Sequence, residues 1–73
     1  MDKRAQLKEQ LSMLFDVPVE NLSDELTLNK DLYASSLHFF GILSGIEELT
    51  GKSLDYETVK ACRTIGEVLA LLD

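Results

Sequence analysis

Hydrophobic residues recur with helical spacing near the start of the chain. Four of them follow the spacing i, i+4, i+7 and i+8, namely Leu7, Leu11, Leu14 and Phe15. This spacing places them on one face of a helix, and the pattern predicts that helix over about residues 2–15. Pro18 has no backbone N–H and a fixed φ, so the helix must end before it.

A second helix is predicted to begin at Ser35-Ser36, because serine is a favourable residue at a helix N-terminus. Its core face is predicted from the spacing i, i+3, i+4, i+7 and i+10, which selects Phe39, Ile42, Leu43, Ile46 and Leu49. Gly51 is expected to end the helix in a left-handed conformation. Leu37 and Phe40 lie off this stripe. They indicate either a very broad buried face or an exposed contact patch.

The C-terminal third predicts two further helices. Asp55 is placed to open a short third helix over about residues 56–62. Thr64 and Glu67 have the spacing of a capping box, which opens a last helix. The predicted core face of that helix comprises Ile65, Val68, Leu69 and Leu72.

Residues 19–34 have no sustained hydrophobic period and form a long connection between the first two helices, with a helical turn expected near 21–24. No segment predicts a strand. The chain of 73 residues is too short for more than one domain. The fold class predicted is therefore all-α, a four-helix bundle of three longer helices and a short third one, in a single domain over residues 1–73.

Charge and composition exclude several function classes. The chain has 13 acidic and 7 basic side chains, a net charge of −6, so it lacks the basic surface with which proteins bind nucleic acids. It shows no signal sequence and no apolar run of the ~18 residues that span a membrane, which predicts a cytoplasmic protein. A single cysteine, Cys62, and a single histidine, His38, allow neither a disulfide nor a four-ligand zinc site. Cys62 falls on an apolar stripe and is interpreted as an inert core thiol.

No catalytic constellation can be assembled, so no enzymatic activity is predicted. Ser36 and His38 are two residues apart on a helix and point about 200° away from each other. His38 is expected to face the solvent. Ser36 itself stands where the amides and dipole of a helix N-terminus favour a phosphate group, so its hydroxyl is a possible attachment point for a phosphodiester. A serine that serves only as a first-turn residue would give the same pattern.

The residues around Ser36 resemble a known motif. The stretch from Asp31 to Leu37, D-L-Y-A-S-S-L, is similar to the D-L-G-A-D-S-L motif of the acyl carrier proteins, and Ile46-Glu47-Glu48-Leu49 resembles the end of that family's second helix. The order of helices, the length and the acidity agree over the whole chain. The resemblance implies an acyl-carrier-type bundle and a carrier of acyl thioesters, for fatty-acid or related specialised metabolism.

Transferred to this sequence, the resemblance makes Ser36 the residue that bears a 4'-phosphopantetheine arm derived from coenzyme A. It implies a phosphopantetheinyl transferase and acyl-transfer or acyl-modifying enzymes as partners of a monomeric protein. Partner enzymes would contact Leu37, Phe40, Glu47 and Glu48. The family's acyl chains enter a cleft between helices, whose lining here would be Phe39, Ile42, Leu43, Ile46, Tyr56, Val59 and Val68.

The chain departs from the family at three positions that are usually acidic, where it has Ser35, His38 and Gly41. Ser35 becomes a competing attachment site, although the spacing to Asp31 and Leu37 favours Ser36. The reduced acidity suggests a specialised carrier. The alternatives are a stand-alone carrier for amino-acid or polyketide units and, in a different class, an unmodified helical protein-interaction domain.

Overall fold

The computed structural model of the protein describes residues 2–73. The regular secondary structure of these residues is helical, as the sequence predicts. Its elements in chain order are α1 (Lys3–Phe15), a 3-10 turn (Val19–Asn21), α2 (Ser36–Thr50), α3 (Tyr56–Lys60) and α4 (Ile65–Ala70). The described residues contain no strand, only an isolated antiparallel bridge between Thr27 and Thr64. The all-α prediction is confirmed. The prediction of three longer helices is wrong, because α4 has only six residues.

Both ends of α1 are fixed by aspartates. The Asp2 carboxylate accepts a hydrogen bond of 2.7 Å from the backbone N–H of Ala5 and so satisfies one of the free donors of the first turn. Asp16 ends the helix in the left-handed conformation, with φ 57°, and the chain then turns into Pro18. The helix therefore ends where the sequence predicts.

The core combines the predicted helix stripes with two leucines from the long connection. Its buried hydrophobic members are Leu7, Leu11, Leu22, Leu28, Phe39, Ile42, Ile46, Val59, Cys62, Ile65, Val68, Leu69 and Leu72. Leu22 and Leu28 are as fully buried as any helical residue. A search for helical period misses them, because a connection has no period.

Helices α1 and α2 approach closely at two glycines of α2, Gly41 and Gly45. Gly45 is buried, and a Cβ atom at this position would collide with the Gln10 side chain. At Gly41, a Cβ would lie 3.0 Å from Cδ1 of Leu14, closer than ordinary van der Waals contact. Gly45 is therefore a position of tight packing between the two helices.

The long connection is tied to the junction between α3 and α4. Three backbone hydrogen bonds join the two segments: Leu28 N to Arg63 O at 2.9 Å, Ile65 N to Leu26 O at 3.0 Å, and Gly66 N to Asp24 O at 2.9 Å. Since its carbonyls and amides are paired in this way, the connection is an ordered part of the fold and brings the chain to the start of α2 in a defined position.

Smaller differences from the predicted elements concern helix ends. The helical turn of the connection lies at Val19–Asn21 rather than near 21–24, and α3 ends at Lys60 rather than at residue 62. The Thr64 hydroxyl accepts a 3.2 Å bond from Glu67 N–H as a capping box requires. The Glu67 carboxylate, however, accepts from the N–H of Arg63, one residue before the expected donor.

Candidate functional site

The chain enters α2 through a turn that Asp31 holds together. Its carboxylate accepts hydrogen bonds from the backbone N–H and the hydroxyl of Thr27, at 2.9 and 3.0 Å. The Thr27 hydroxyl oxygen in turn accepts from the N–H of Asp31, at 3.2 Å. The two bonds to the carboxylate lower the pKa of Asp31 below its ordinary value, since both favour the ionised form. Asp31 therefore contributes a fixed negative charge near the start of α2.

Tyr33 completes this turn in an unusual backbone conformation. Its φ is 52°, in the left-handed region, where a bulky side chain is disfavoured. Its N–H donates to Asn29 O at 3.1 Å, and the next N–H, of Ala34, donates to Leu28 O at 2.8 Å. Sequence reasoning missed Tyr33. The available signal was the motif itself, which has glycine at this position.

Ser36 is the first residue of α2 and is exposed. Among the described residues its hydroxyl has no hydrogen-bond partner, so Oγ is free to react. It stands at the amide end of a 15-residue helix, where the free N–H groups and the helix dipole stabilise negative charge. The predicted start of the helix is confirmed, and the position suits a phosphate ester.

Ser35 and His38 form a pair that closes the N-terminus of α2. The Nδ1 atom of His38 accepts a hydrogen bond from the backbone N–H of Ser35 at 2.9 Å, and the Ser35 Oγ lies 3.1 Å from the same nitrogen. The imidazole also stacks on Phe15, with ring centroids 4.5 Å apart. The expectation that His38 faces the solvent is therefore wrong: the ring is half-buried and links α2 to α1.

This geometry gives His38 a structural role. The backbone N–H of Ser35 can only donate, so it occupies the single lone pair of Nδ1. That nitrogen is then not available to take the proton of the Ser35 hydroxyl. The pair resembles a nucleophile and base in composition, but its contacts are those of a capping box in which histidine replaces the usual acidic or amide residue.

Replacing His38 tests this role. We expect His38→Ala to lower the free energy of unfolding by about 1–2 kcal/mol, because both the cap and the ring stack are lost. His38→Phe keeps an aromatic ring but no acceptor, and His38→Gln keeps an acceptor but no ring. Urea unfolding should give each of these two variants a partial loss. If His38→Ala unfolds like the wild type, the capping role is excluded.

Leu37 and Phe40 lie on the solvent side of α2, so they are not part of a broad buried face. Their side chains are 80% and 53% exposed. Phe40 stacks on Tyr56 of α3, with ring centroids 4.4 Å apart, which extends the apolar surface to the next helix. We call Leu37 and Phe40 the apolar patch. Of the two alternatives, the broad buried face is excluded, because both side chains are exposed.

The two glutamates near the end of α2 have different surroundings. Glu48 is exposed, whereas Glu47 is half-buried. The Glu47 carboxylate accepts a 2.9 Å hydrogen bond from the N–H of Leu54 and so holds the segment between α2 and α3. Only one of its two oxygens is used in this bond, which leaves the other for an external donor.

The residues predicted to line an acyl cleft lie in or against the core. Ile42, Ile46, Val59 and Val68 are at most 1% exposed, Phe39 is buried, and Leu43 and Tyr56 pack against the core from outside. A cavity of about 340 Å³ lies elsewhere, between α1 and α2. Its lining comprises Leu7, Gln10, Leu11, Met13, Leu14, Gly41 and Ile42, and only Ile42 belongs to both sets.

Metal ligands, membrane-spanning helices and the cysteine thiol are three further features that bear on function. Residues 2–73 contain no group of three or more side chains able to hold a metal ion. In the same range no helix is long and apolar enough to cross a membrane. Cys62 is buried and its pKa is raised, first by burial and then by the Glu67 carboxylate, so the thiol is protonated and unreactive at neutral pH.

Comparison with known proteins adds no relative: the chain matches no known protein family, and no curated protein matches it.

Proposed function

We propose that this protein is an acyl carrier, which holds acyl intermediates as thioesters on a 4'-phosphopantetheine arm attached to Ser36. The observation that supports this best is the setting of Ser36 itself. Its hydroxyl is exposed, has no hydrogen-bond partner among the described residues, and stands at the amide end of the longest helix. These conditions favour a phosphodiester at the serine.

Attachment to Ser36 places the phosphate next to the first-turn amides of α2. The Ser36 Oγ forms the new bond to phosphorus and loses its proton, while the pyrophosphate bond of coenzyme A breaks and the adenosine bisphosphate leaves. A bound arm supplies a terminal thiol that carries the acyl group. Because the arm is tethered, the acyl group has a high effective concentration at an enzyme that binds the protein surface.

The surface around Ser36 suits brief contacts with several enzymes. The apolar patch is small, and a small patch gives weak binding. No lysine or arginine occurs between Asp31 and Gly51, so this surface is acidic and attracts enzymes with basic surfaces. At the far end of α2, Glu48 and the second carboxylate oxygen of Glu47 would accept hydrogen bonds from donors on a partner enzyme. Partners would thus include the transferase that loads Ser36 and enzymes that transfer or modify the acyl group.

Ser36 is favoured over Ser35 as the attachment site by their different contacts. The Ser35 hydroxyl lies against His38 Nδ1, whereas the Ser36 hydroxyl makes no such contact with a described residue. Reaction at Ser35 would also disturb the cap of α2. We therefore place the arm on Ser36, and propose that the protein is a non-catalytic, cytoplasmic, monomeric substrate of other enzymes.

Intact mass measurement tests the proposal. The purified protein is incubated with coenzyme A and a broad-specificity phosphopantetheinyl transferase. We expect the mass to increase by one phosphopantetheine, and peptide mapping to place it on Ser36. The same protein incubated with coenzyme A alone is the control. No increase would favour the unmodified interaction domain, in which Leu37 and Phe40 bind a partner directly. A modified protein loaded with amino-acid or polyketide units in preference to fatty acyl chains would favour the other carrier class.

A further inference from the structure

Tyr33 combines two costs that its surroundings do not explain. Its backbone is in the left-handed region, with φ 52°, which costs a bulky residue stability. Its side chain is 81% exposed, more than any other large hydrophobic side chain among the described residues. The only other non-glycine residue with positive φ in that range, Asp16, is a polar C-cap. The Tyr33 ring therefore has no role in packing this fold.

The position of Tyr33 relative to Ser36 gives the ring a role. Tyr33 ends the turn three residues before Ser36, and the 80% exposed Leu37 follows Ser36 directly. Exposed hydrophobic side chains thus stand on both sides of the reactive hydroxyl along the chain. A protein that brings an active site to Ser36 Oγ approaches a segment with two exposed apolar side chains, and their removal from water would favour binding.

We infer that Tyr33 is a recognition residue for the enzyme that loads Ser36, and that this enzyme offers an apolar pocket for the Tyr33 ring beside a basic surface. The inference rests on the proposed function. In the Tyr33 turn Lys30 offsets Asp31, so charge complementarity comes from α2, which has Glu47 and Glu48 and no lysine or arginine, and the basic surface of the enzyme would face that helix. A buried tyrosine is among the residues that contribute most to protein interfaces.

Substitution of Tyr33 separates recognition from folding, because the two effects have opposite signs. Glycine accepts a positive φ without strain, so Tyr33→Gly should raise Tm by a few degrees. If the ring is recognised, the same variant should lose about tenfold in kcat/KM for transfer from coenzyme A. The loss should appear in KM for the carrier with little change in kcat, since Tyr33 does not touch the reacting atoms.

Three controls accompany Tyr33→Gly in the assay with a broad-specificity transferase. Tyr33→Phe keeps the ring and should keep kcat/KM. Tyr33→Asn tolerates the left-handed backbone without glycine's flexibility and should lose as much as Tyr33→Gly. Met13→Ala removes an exposed side chain from α1, 80% exposed, and should change nothing.

The outcomes distinguish the inference from the function on which it rests. If Tyr33→Gly keeps the wild-type kcat/KM, the recognition role is wrong and the carrier function stands. The same conclusion follows if Tyr33→Gly loses kcat/KM but Tyr33→Asn keeps it. If the wild-type protein itself accepts no arm, the proposed function and the role of Tyr33 both fail. Loss in both Gly and Asn variants with retention in Tyr33→Phe establishes the role of the ring.

Discussion

Ser36→Ala is expected to abolish attachment of the phosphopantetheine arm while the protein remains fully folded. The hydroxyl is the only group lost, and it makes no hydrogen bond to a described residue, so removal of Oγ leaves no partner unsatisfied. Alanine is also well accepted in the first turn of a helix. We expect the free energy of unfolding to change by less than about 0.5 kcal/mol. Intact mass after incubation with coenzyme A and transferase, with urea unfolding of the same sample, measures both effects.

Ser35→Ala is the matched control, with the opposite expected result. It removes the hydroxyl that lies 3.1 Å from His38 Nδ1 and replaces the residue that precedes α2. Loss of a serine at this position costs on the order of 1 kcal/mol. The arm should still be attached. If Ser35→Ala prevents attachment and Ser36→Ala does not, the site is Ser35 and the alignment with the carrier motif is wrong by one residue.

Leu28→Ala is expected to have the largest effect on stability, although Leu28 lies in a connection and not in a helix. Its side chain is 0% exposed, and truncation of a buried leucine costs about 2–5 kcal/mol. A chain of 73 residues has a total stability of roughly 4–11 kcal/mol at the usual 0.05–0.15 kcal/mol per residue. The variant should therefore be partly unfolded at moderate temperature, as circular dichroism during heating would show.

Leu37→Ala is the control for Leu28→Ala, since it makes the same chemical change at a site that is 80% exposed. Its free energy of unfolding should stay within about 0.5 kcal/mol of the wild type. Equal losses in the two variants would contradict the burial of Leu28. The contact role of Leu37 should appear separately, as a higher KM of the transferase for the Leu37→Ala protein.

The helices could be predicted from the sequence because their signals are local. The stripe containing Ile42 and Ile46, the turn at Gly51 and the start of α2 at Ser36 all follow from residue spacing and from terminal residues. The helix end at Lys60 and the short α4 were less well predicted, because final turns depend on what packs against them. In the same way, the spacing of Ser36 and His38 showed correctly that they cannot interact, but not that His38 caps the helix through Ser35.

The candidate site also has residues that local sequence signals identify and residues that they do not. Its proposed attachment residue, Ser36, could be selected from the sequence, since a serine at a helix start within a recognisable motif is a local feature. Tyr33 and Phe15 were not. The left-handed conformation of Tyr33 is a property of its backbone that no residue pattern shows, and the Phe15 ring meets His38 only after α1 packs on α2. Contacts between distant segments leave no periodic pattern in either segment.

The sequence by itself determined the helical class, the acidic character and the candidate serine, because each depends on composition or on residues within a few positions of one another. Only the tertiary structure decided which leucines are core and which are surface. Leu28 and Leu37 are the same residue type in neighbouring segments, yet one is fully buried and the other 80% exposed. The difference arises because the connection folds back on the α3–α4 junction, where three backbone hydrogen bonds hold it, while the Leu37 side chain remains in the solvent at the start of α2.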